Sequence, residues 1–276
     1  MQRLLVVGFG DIARRAAPLL ERRFTLVALS RRAGFDLDEP ATLGLPAADA
    51  LLHCAPPPAA GDRDTRTLNL LSALERNEAP RRVVYLSTSG VYGDCGGALV
   101  DEARPLNPQT PRARRRADAE AQLERWCATH GAALIILRVP GIYASDRLPL
   151  ERLRAQIGVL RAEDDVYTSH IHADDLAAIA ARALEADAPA GIYNAADDTQ
   201  MRMGDWLDLV ADHARLPRPP RIARSDMDGL VPAPLSSFMR ESRRLDNRRL
   251  KTVLGARLRY PTVRQGLGHE HALGTH

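Results

Sequence analysis

The feature that most constrains the fold is a short apolar run ending on a glycine turn. Leu4–Val7 leads straight into Gly8-Phe9-Gly10-Asp11-Ile12-Ala13, and the residues beyond have helical texture. A strand that turns through two glycines into a helix prepares a site for a pyrophosphate. The first glycine permits the tight turn, and the second lacks the Cβ that would keep backbone N–H groups off the anion. Ala13 stands at the third position of the pattern, where a small residue lets helix pack on strand. The spacing alone also fits a plain tight turn; its place between strand and helix favours the dinucleotide reading.

The alternation continues along the chain. Leu26–Leu29, Ala50–Cys54, Val83–Ser87 and Ala133–Leu137 are short and uninterrupted, as buried parallel strands are. Helical stretches at Asp11–Arg22, Thr65–Arg76 and Ala117–His130 separate them, with Gly131 closing the last and Pro18 expected to kink the first. Leu176, Ile179, Ala180, Ala183 and Leu184 then mark one buried helix face, and Ile192–Ala195 reads as a returning strand. This order predicts an α/β fold, a Rossmann doubly wound parallel sheet. Beyond it come a helix at about Met203–Leu216, a proline-rich link at Pro217–Pro220 and a short helix ending at Gly255. The expected division is a dinucleotide-binding domain over 1–140, rejoined at about 170–196, with 141–169 and 197–276 forming a small C-terminal substrate lobe.

The second strand ends at Leu29 and is followed by Ser30-Arg31-Arg32. About twenty residues beyond the glycines, a fold specific for NAD places an acid on the ribose 2′-hydroxyl. Here two guanidinium groups stand instead, which favours NADP, with NAD as the weaker alternative. Surface arginines with no such role are the competing reading.

Composition narrows the partners. A net charge of +3 invites a nucleic-acid reading, but Lys251 is the only lysine and the densest cluster, Arg112–Arg116, falls on an expected helix. The excess is therefore read as arginine usage across the chain, and no nucleic-acid partner is expected. No apolar run approaches the roughly 18–20 residues of a membrane helix, so no membrane partner is expected either. The N-terminus lacks the pattern of a secretory signal. Cys54, Cys95 and Cys127 have no metal-like spacing, which suggests reduced thiols, a cytoplasmic setting and no metal site.

Several further segments, taken in order, resemble extended or atypical short-chain dehydrogenase/reductases of the NAD-dependent epimerase/dehydratase family, nearly end to end. They are Asp36-Leu37-Asp38, His53-Cys54-Ala55-Pro56, Tyr85–Gly93, Leu137–Tyr143, His170–Ala177, Tyr193–Ala196 and Ser242–Asn247. The resemblance implies a cofactor along the C-terminal edge of the sheet, touching Gly8, Gly10, Asp11, Ile12, Ala13, Ser30, Arg31, Arg32, Asp36, Leu37, Cys54, Ala55, Pro56 and Val139. It also implies a small-molecule substrate with a hydroxyl or carbonyl group, nucleotide sugars among them, and a homodimer formed through the helix containing Arg112–His130.

In that family a strand-end hydroxyl orients the substrate, and a Tyr-x-x-x-Lys pair moves the proton while hydride passes to or from the nicotinamide. Thr88 matches the hydroxyl position, with Ser87 and Ser89 as neighbours. The pair is altered: Arg112 stands at the tyrosine position and Arg116 at the lysine position. Arginine stays protonated and cannot act as the general base, although Arg116 could still bond the ribose. Replacement proton groups are sought in Tyr92, Tyr143, His172 and Asp94, and substrate contacts in Ser89, Tyr92, Tyr143, His172, Arg147, Arg154, Arg243 and Arg244. A cofactor-binding sensor without turnover is the alternative function.

Overall fold

The computed structural model describes residues 1–39 and 44–268. The apolar runs form six strands: β1 (Gln2–Val7), β2 (Phe24–Leu29), β3 (Ala50–His53), β4 (Arg82–Thr88), β5 (Ala133–Val139) and β6 (Gly191–Asn194). They pair in parallel throughout, in the order β2-β1-β3-β4-β5-β6. The chain leaves β1 toward β2 and then crosses back to β3 on the opposite side. That reversal opens a crevice between the ends of β1 and β3, the point where open α/β sheets bind ligands.

Both faces of the sheet are covered, which is why the strands read as unbroken apolar runs. Leu4 and Val6 of β1 pack with helices α1 (Asp11–Leu20) and α5 (Ala173–Ala183). Leu5 and Val7 point the other way, into a cluster with Leu70 and Leu74 of α2 (Thr65–Leu74) and Leu123 and Trp126 of α3 (Pro111–His130). Ala13 is buried on this first face, so helix packing accounts for the small residue in the glycine motif.

Several boundaries differ from the sequence reading. Helix α3 begins at Pro111, ahead of the Ala117 given by periodicity and in keeping with the helix expected to contain Arg112–His130. The Thr110 side chain accepts a bond from the Ala113 amide, and proline is pre-set for the first turn. An arginine run carries no apolar period, so the pattern could not reveal that turn. Helix α1 runs unbroken through Pro18, which sits near its end and forgoes one backbone bond. Strand β3 ends at His53, although the Cys54 amide still bonds the Val7 carbonyl.

Away from the sheet, α4 (Leu150–Arg154) and α6 (Met203–Ala214) share a separate apolar cluster that includes Leu153, Trp206, Val210 and Met239. The late short helix spans Arg248–Thr252, with Gly255 at φ +75° just beyond it. Residues 269–276 of the expected lobe lie outside the described residues.

Candidate functional site

At the crevice, Gly8 adopts φ +85°, and a Cβ there would stand 2.5 Å from the Ala55 amide nitrogen. The end of β1 thus presses directly against the turn after β3, and only glycine fits. The Gly10 amide folds back onto the Gly8 carbonyl at 2.7 Å, and Gly10 itself caps α1. Around this turn lies an open cleft of about 340 Å³, lined by Gly8, Gly10, Ser30, Arg31, Arg32, Asp36, Leu37, Cys54, Ala55 and Pro56. Residues from four separate segments of the sequence reading converge here.

Two more arginines line the cleft that the sequence reading passed over. Arg14 projects from the first turn of α1. Arg66 grips Asp38 with two bonds of 2.6 and 2.8 Å and also donates to the Pro56 carbonyl at 3.2 Å. Nothing local distinguishes either from the other arginines of the chain. Asp11, Ile12, Ala13 and Val139 do not line the cleft. Ile12, Ala13 and Val139 are buried, and Asp11 pairs with Arg15 at 3.0 Å and Arg147 at 2.8 Å. Burial alone would raise the Asp11 carboxyl, but the two guanidinium groups hold it below its ordinary value.

A second cleft, of about 380 Å³, opens beyond the ends of β4 and β5 against α4 and α6. Thr88, Ser89, Arg112, Arg147 and Arg243 line it, as do Arg152, His170, Trp206 and Phe238. Thr88 Oγ1 accepts a bond from the Gly90 amide at 3.2 Å, which fixes the strand-end turn. Of the four arginines sought as substrate contacts, Arg154 lies outside it, paired with Glu151 at 2.5 Å. Arg244 is also outside, donating to the Gly97 carbonyl at 2.8 Å.

The replacement proton groups sought in the sequence are engaged elsewhere. Tyr92 is buried, donating to Asn194 Oδ1 at 2.8 Å and accepting from Arg138 at 3.0 Å; burial pushes its hydroxyl up to about 12. Tyr143 is buried too, its hydroxyl 3.3 Å from the Thr262 carbonyl. His172 caps α5, accepting from the Asp174 amide at 3.2 Å, with its ring 4.1 Å from that of Tyr260. Asp94 accepts from the Ser242 amide at 2.8 Å. The imidazole in the second cleft is His170, two residues before the one singled out. Burial lowers it to about 3, so it is neutral.

Arg112 and Arg116 share one side of α3, as i, i+4 residues do, yet their heads diverge. Arg116 donates to the Leu86 carbonyl at 2.8 Å and the Tyr85 hydroxyl at 3.0 Å, anchoring it to β4. Its charge reaches Cys54, partly opposing the burial that pushes that thiol up to about 12. Arg112 instead lies 4.2 Å over the Phe238 ring, at the wall of the second cleft.

A parallel doubly wound sheet, a glycine turn at its switch point and a cleft around that turn define a Rossmann-type dinucleotide-binding fold. The family model described as NAD dependent epimerase/dehydratase matches residues 63–196. A 3-diazoavenalumate denitrifying reductase from a Streptomyces species is 31% identical over 75% of this chain and 70% of that protein. The chain belongs to the NAD-dependent epimerase/dehydratase family. A GDP-6-deoxy-D-mannose reductase from Pseudomonas aeruginosa is 27% identical, covering 78% of this chain and 81% of that one. Among solved structures, a functionally unknown conserved protein from Silicibacter pomeroyi superposes with a TM-score of 0.78 at 29% identity, over the whole of both chains. A human epimerase family protein bound to NADPH shares the fold, with a TM-score of 0.76 at 19% identity over 99% of this chain and 100% of that one. Among the described residues, no helix is long and apolar enough to cross a membrane.

Proposed function

We propose that the protein is an NADP(H)-dependent oxidoreductase of the reductase kind, acting on a small hydroxyl or carbonyl compound in the second cleft. The observation that carries this is the first cleft, where Gly8 lets β1 turn tightly against Ala55, Gly10 leaves open the room a pyrophosphate needs, and Arg31 and Arg32 follow the end of β2. The curated relatives with reductase names and the solved neighbour with bound NADPH support the same reading.

When bound, the cofactor supplies a hydride at the nicotinamide. The chain supplies the rest. Arg31 and Arg32 meet a 2′-phosphate, Asp36 and Leu37 flank the adenosine end, and the α1 N-terminus faces the pyrophosphate. Thr88 or Ser89 orients the reacting oxygen. Arg116, held by the Leu86 carbonyl, donates to the ribose, and Arg112 presents positive charge to the substrate side. With no phenol at the tyrosine position and His170 neutral, a proton must come from solvent.

Calorimetry with NADPH, NADP, NADH and NAD tests the reading. Phosphorylated forms are expected to bind about ten- to a hundredfold more tightly, the value of one charge-assisted bond. Equal or tighter binding of the unphosphorylated pair would overturn it. One observation favours a second reading, a sensor that holds the cofactor without turnover: Tyr92 and Tyr143 are both buried away from the clefts. Oxidation of bound NADPH by a panel of carbonyl compounds, followed at the nicotinamide absorbance, separates the two.

A further inference from the structure

The second cleft sets four guanidinium groups against one carboxylate, that of Glu241. Two of its four arginines have carboxylate partners: Arg147 pairs with Asp11 at 2.8 Å, and Arg243 with Glu241 at 2.7 Å. The other two have none among the described residues. Arg112 stacks on Phe238 without a hydrogen bond or ion pair, although the Glu241 carboxylate in the same cleft favours its charge. Arg152 makes only long contacts, 3.4 Å to the Gly158 carbonyl and 3.7 Å to Met239 Sδ, and its Nε is buried without a partner. Desolvation disfavours the charged form of both groups; Glu241 offsets this in part for Arg112, as Asp165 does for Arg152.

Of these two groups Arg112 is exposed and Arg152 half-buried, and a half-buried guanidinium without a close counter-charge costs free energy that a bound anion would relieve. Their planar forks suit a carboxylate or phosphate.

The rest of the wall limits what the anion is attached to. Trp206 lies 4.4 Å from the neutral His170 ring at a tilt of 39°, and 5.4 Å from Tyr143. Met203 and Leu207 of the same helix line the cleft beside it, and Phe238 lies under Arg112. Aromatic walls of this kind favour a flat, apolar body set edge-on or offset against them. At about 380 Å³ the cleft sits near the low end of the roughly 300–1,000 Å³ range of small-molecule sites.

We propose that this cleft takes a small aromatic carboxylic acid, its carboxylate held by Arg112 and Arg152 and its ring laid against Trp206. The proposal rests on the reading of this cleft as the substrate side, and it favours an aromatic acid over a nucleotide sugar. The carboxylate end is fixed by charge, and the far end of the ring can then present a reducible group toward Thr88 and Ser89.

The test uses the full chain, with and without saturating NADPH. Titrations with 2-naphthoate, 2-naphthamide, UDP-glucose and inorganic phosphate are followed by calorimetry and by quenching of tryptophan fluorescence. The acid is expected to bind at least tenfold more tightly than its neutral amide and than UDP-glucose or phosphate. Arg152→Gln and Arg112→Gln should each weaken the acid by about ten- to a hundredfold, as loss of one charge-assisted bond would. Arg154→Gln, outside the cleft, should leave it unchanged. Retained NADPH affinity and melting temperature in the Arg152 variant would confirm that its fold is intact. The proposal falls if the amide binds as well as the acid, if UDP-glucose binds in preference, if no probe binds, or if both glutamine variants bind the acid like the parent. Failure of the parent to bind NADPH would instead sink the cofactor reading, and the cofactor-free titrations would still judge this one.

Discussion

The guanidinium of Arg138 and the carboxylate of Glu120 face each other at 2.8 Å where solvent barely reaches, their side chains 4% and 2% exposed. The pair joins β5 to α3, and Ser87 and Tyr92 bond to it from the β4 side. Glu120 therefore fixes the helix that carries Arg112 and Arg116 against the strand that carries Thr88. Replacing one partner strands a buried charge. Glu120→Leu is expected to lower unfolding free energy in urea by about 3–5 kcal/mol, and the double change Glu120→Leu, Arg138→Met by clearly less. A double variant as unstable as the sum of the single ones would show that the two charges are not coupled.

Gly8→Ala should abolish tight NADPH binding. The residue needs φ +85°, and the added methyl would meet the Ala55 backbone at 2.5–2.6 Å. The backbone strain alone is worth about 1–3 kcal/mol, so a lower melting temperature is expected as well. Arg31→Ala is the milder probe: NADPH affinity should fall about ten- to a hundredfold while NADH affinity holds. Parallel losses for both cofactors would place Arg31 away from the 2′-phosphate.

Arg116→Ala should weaken NADPH by about 1.5–3 kcal/mol in calorimetry if its free donors reach the ribose. Arg112→Ala should change cofactor affinity little, since it faces Phe238 across the second cleft. Unchanged affinity in the Arg116 variant would mean that this side chain only braces β4. The double change Arg112→Tyr, Arg116→Lys restores a phenol–ammonium pair and is expected to give weak NADPH-dependent reduction of simple carbonyls.

Asp197 gives a pH signature. Burial raises its carboxyl from 3.8 to about 8 beside Asp198 and Asp175, against the Thr199 amide that donates to it at 2.9 Å. A folded-state value above the unfolded one means that the native protein binds the extra proton. Its contribution to stability is complete below about pH 4 and is lost as pH rises toward 8. Asp197→Asn keeps the acceptor for Thr199 and removes the titration. Its urea midpoint should vary less between pH 4 and 8 than that of the parent, and identical profiles would show that Asp197 ionises normally.

The sheet was legible because its signals are local. A buried parallel strand needs only its own run of apolar residues, and the glycine turn declares itself within Gly8–Ala13. The lining of the first cleft was nearly as legible, since most of its residues follow strand ends. What the sequence could not rank was its arginines, which are spread along the chain without contrast. Only the tertiary structure brings Arg14 and Arg66 to the first cleft, seats Arg112 and Arg152 in the second, and sends Arg154 outward. It likewise exchanges His172 for His170, because which imidazole caps α5 and which meets Trp206 depends on a helix entering from more than thirty residues away. Strand and turn follow from the period of the chain over a few residues. A site is set by how distant side chains converge, and no local pattern encodes that.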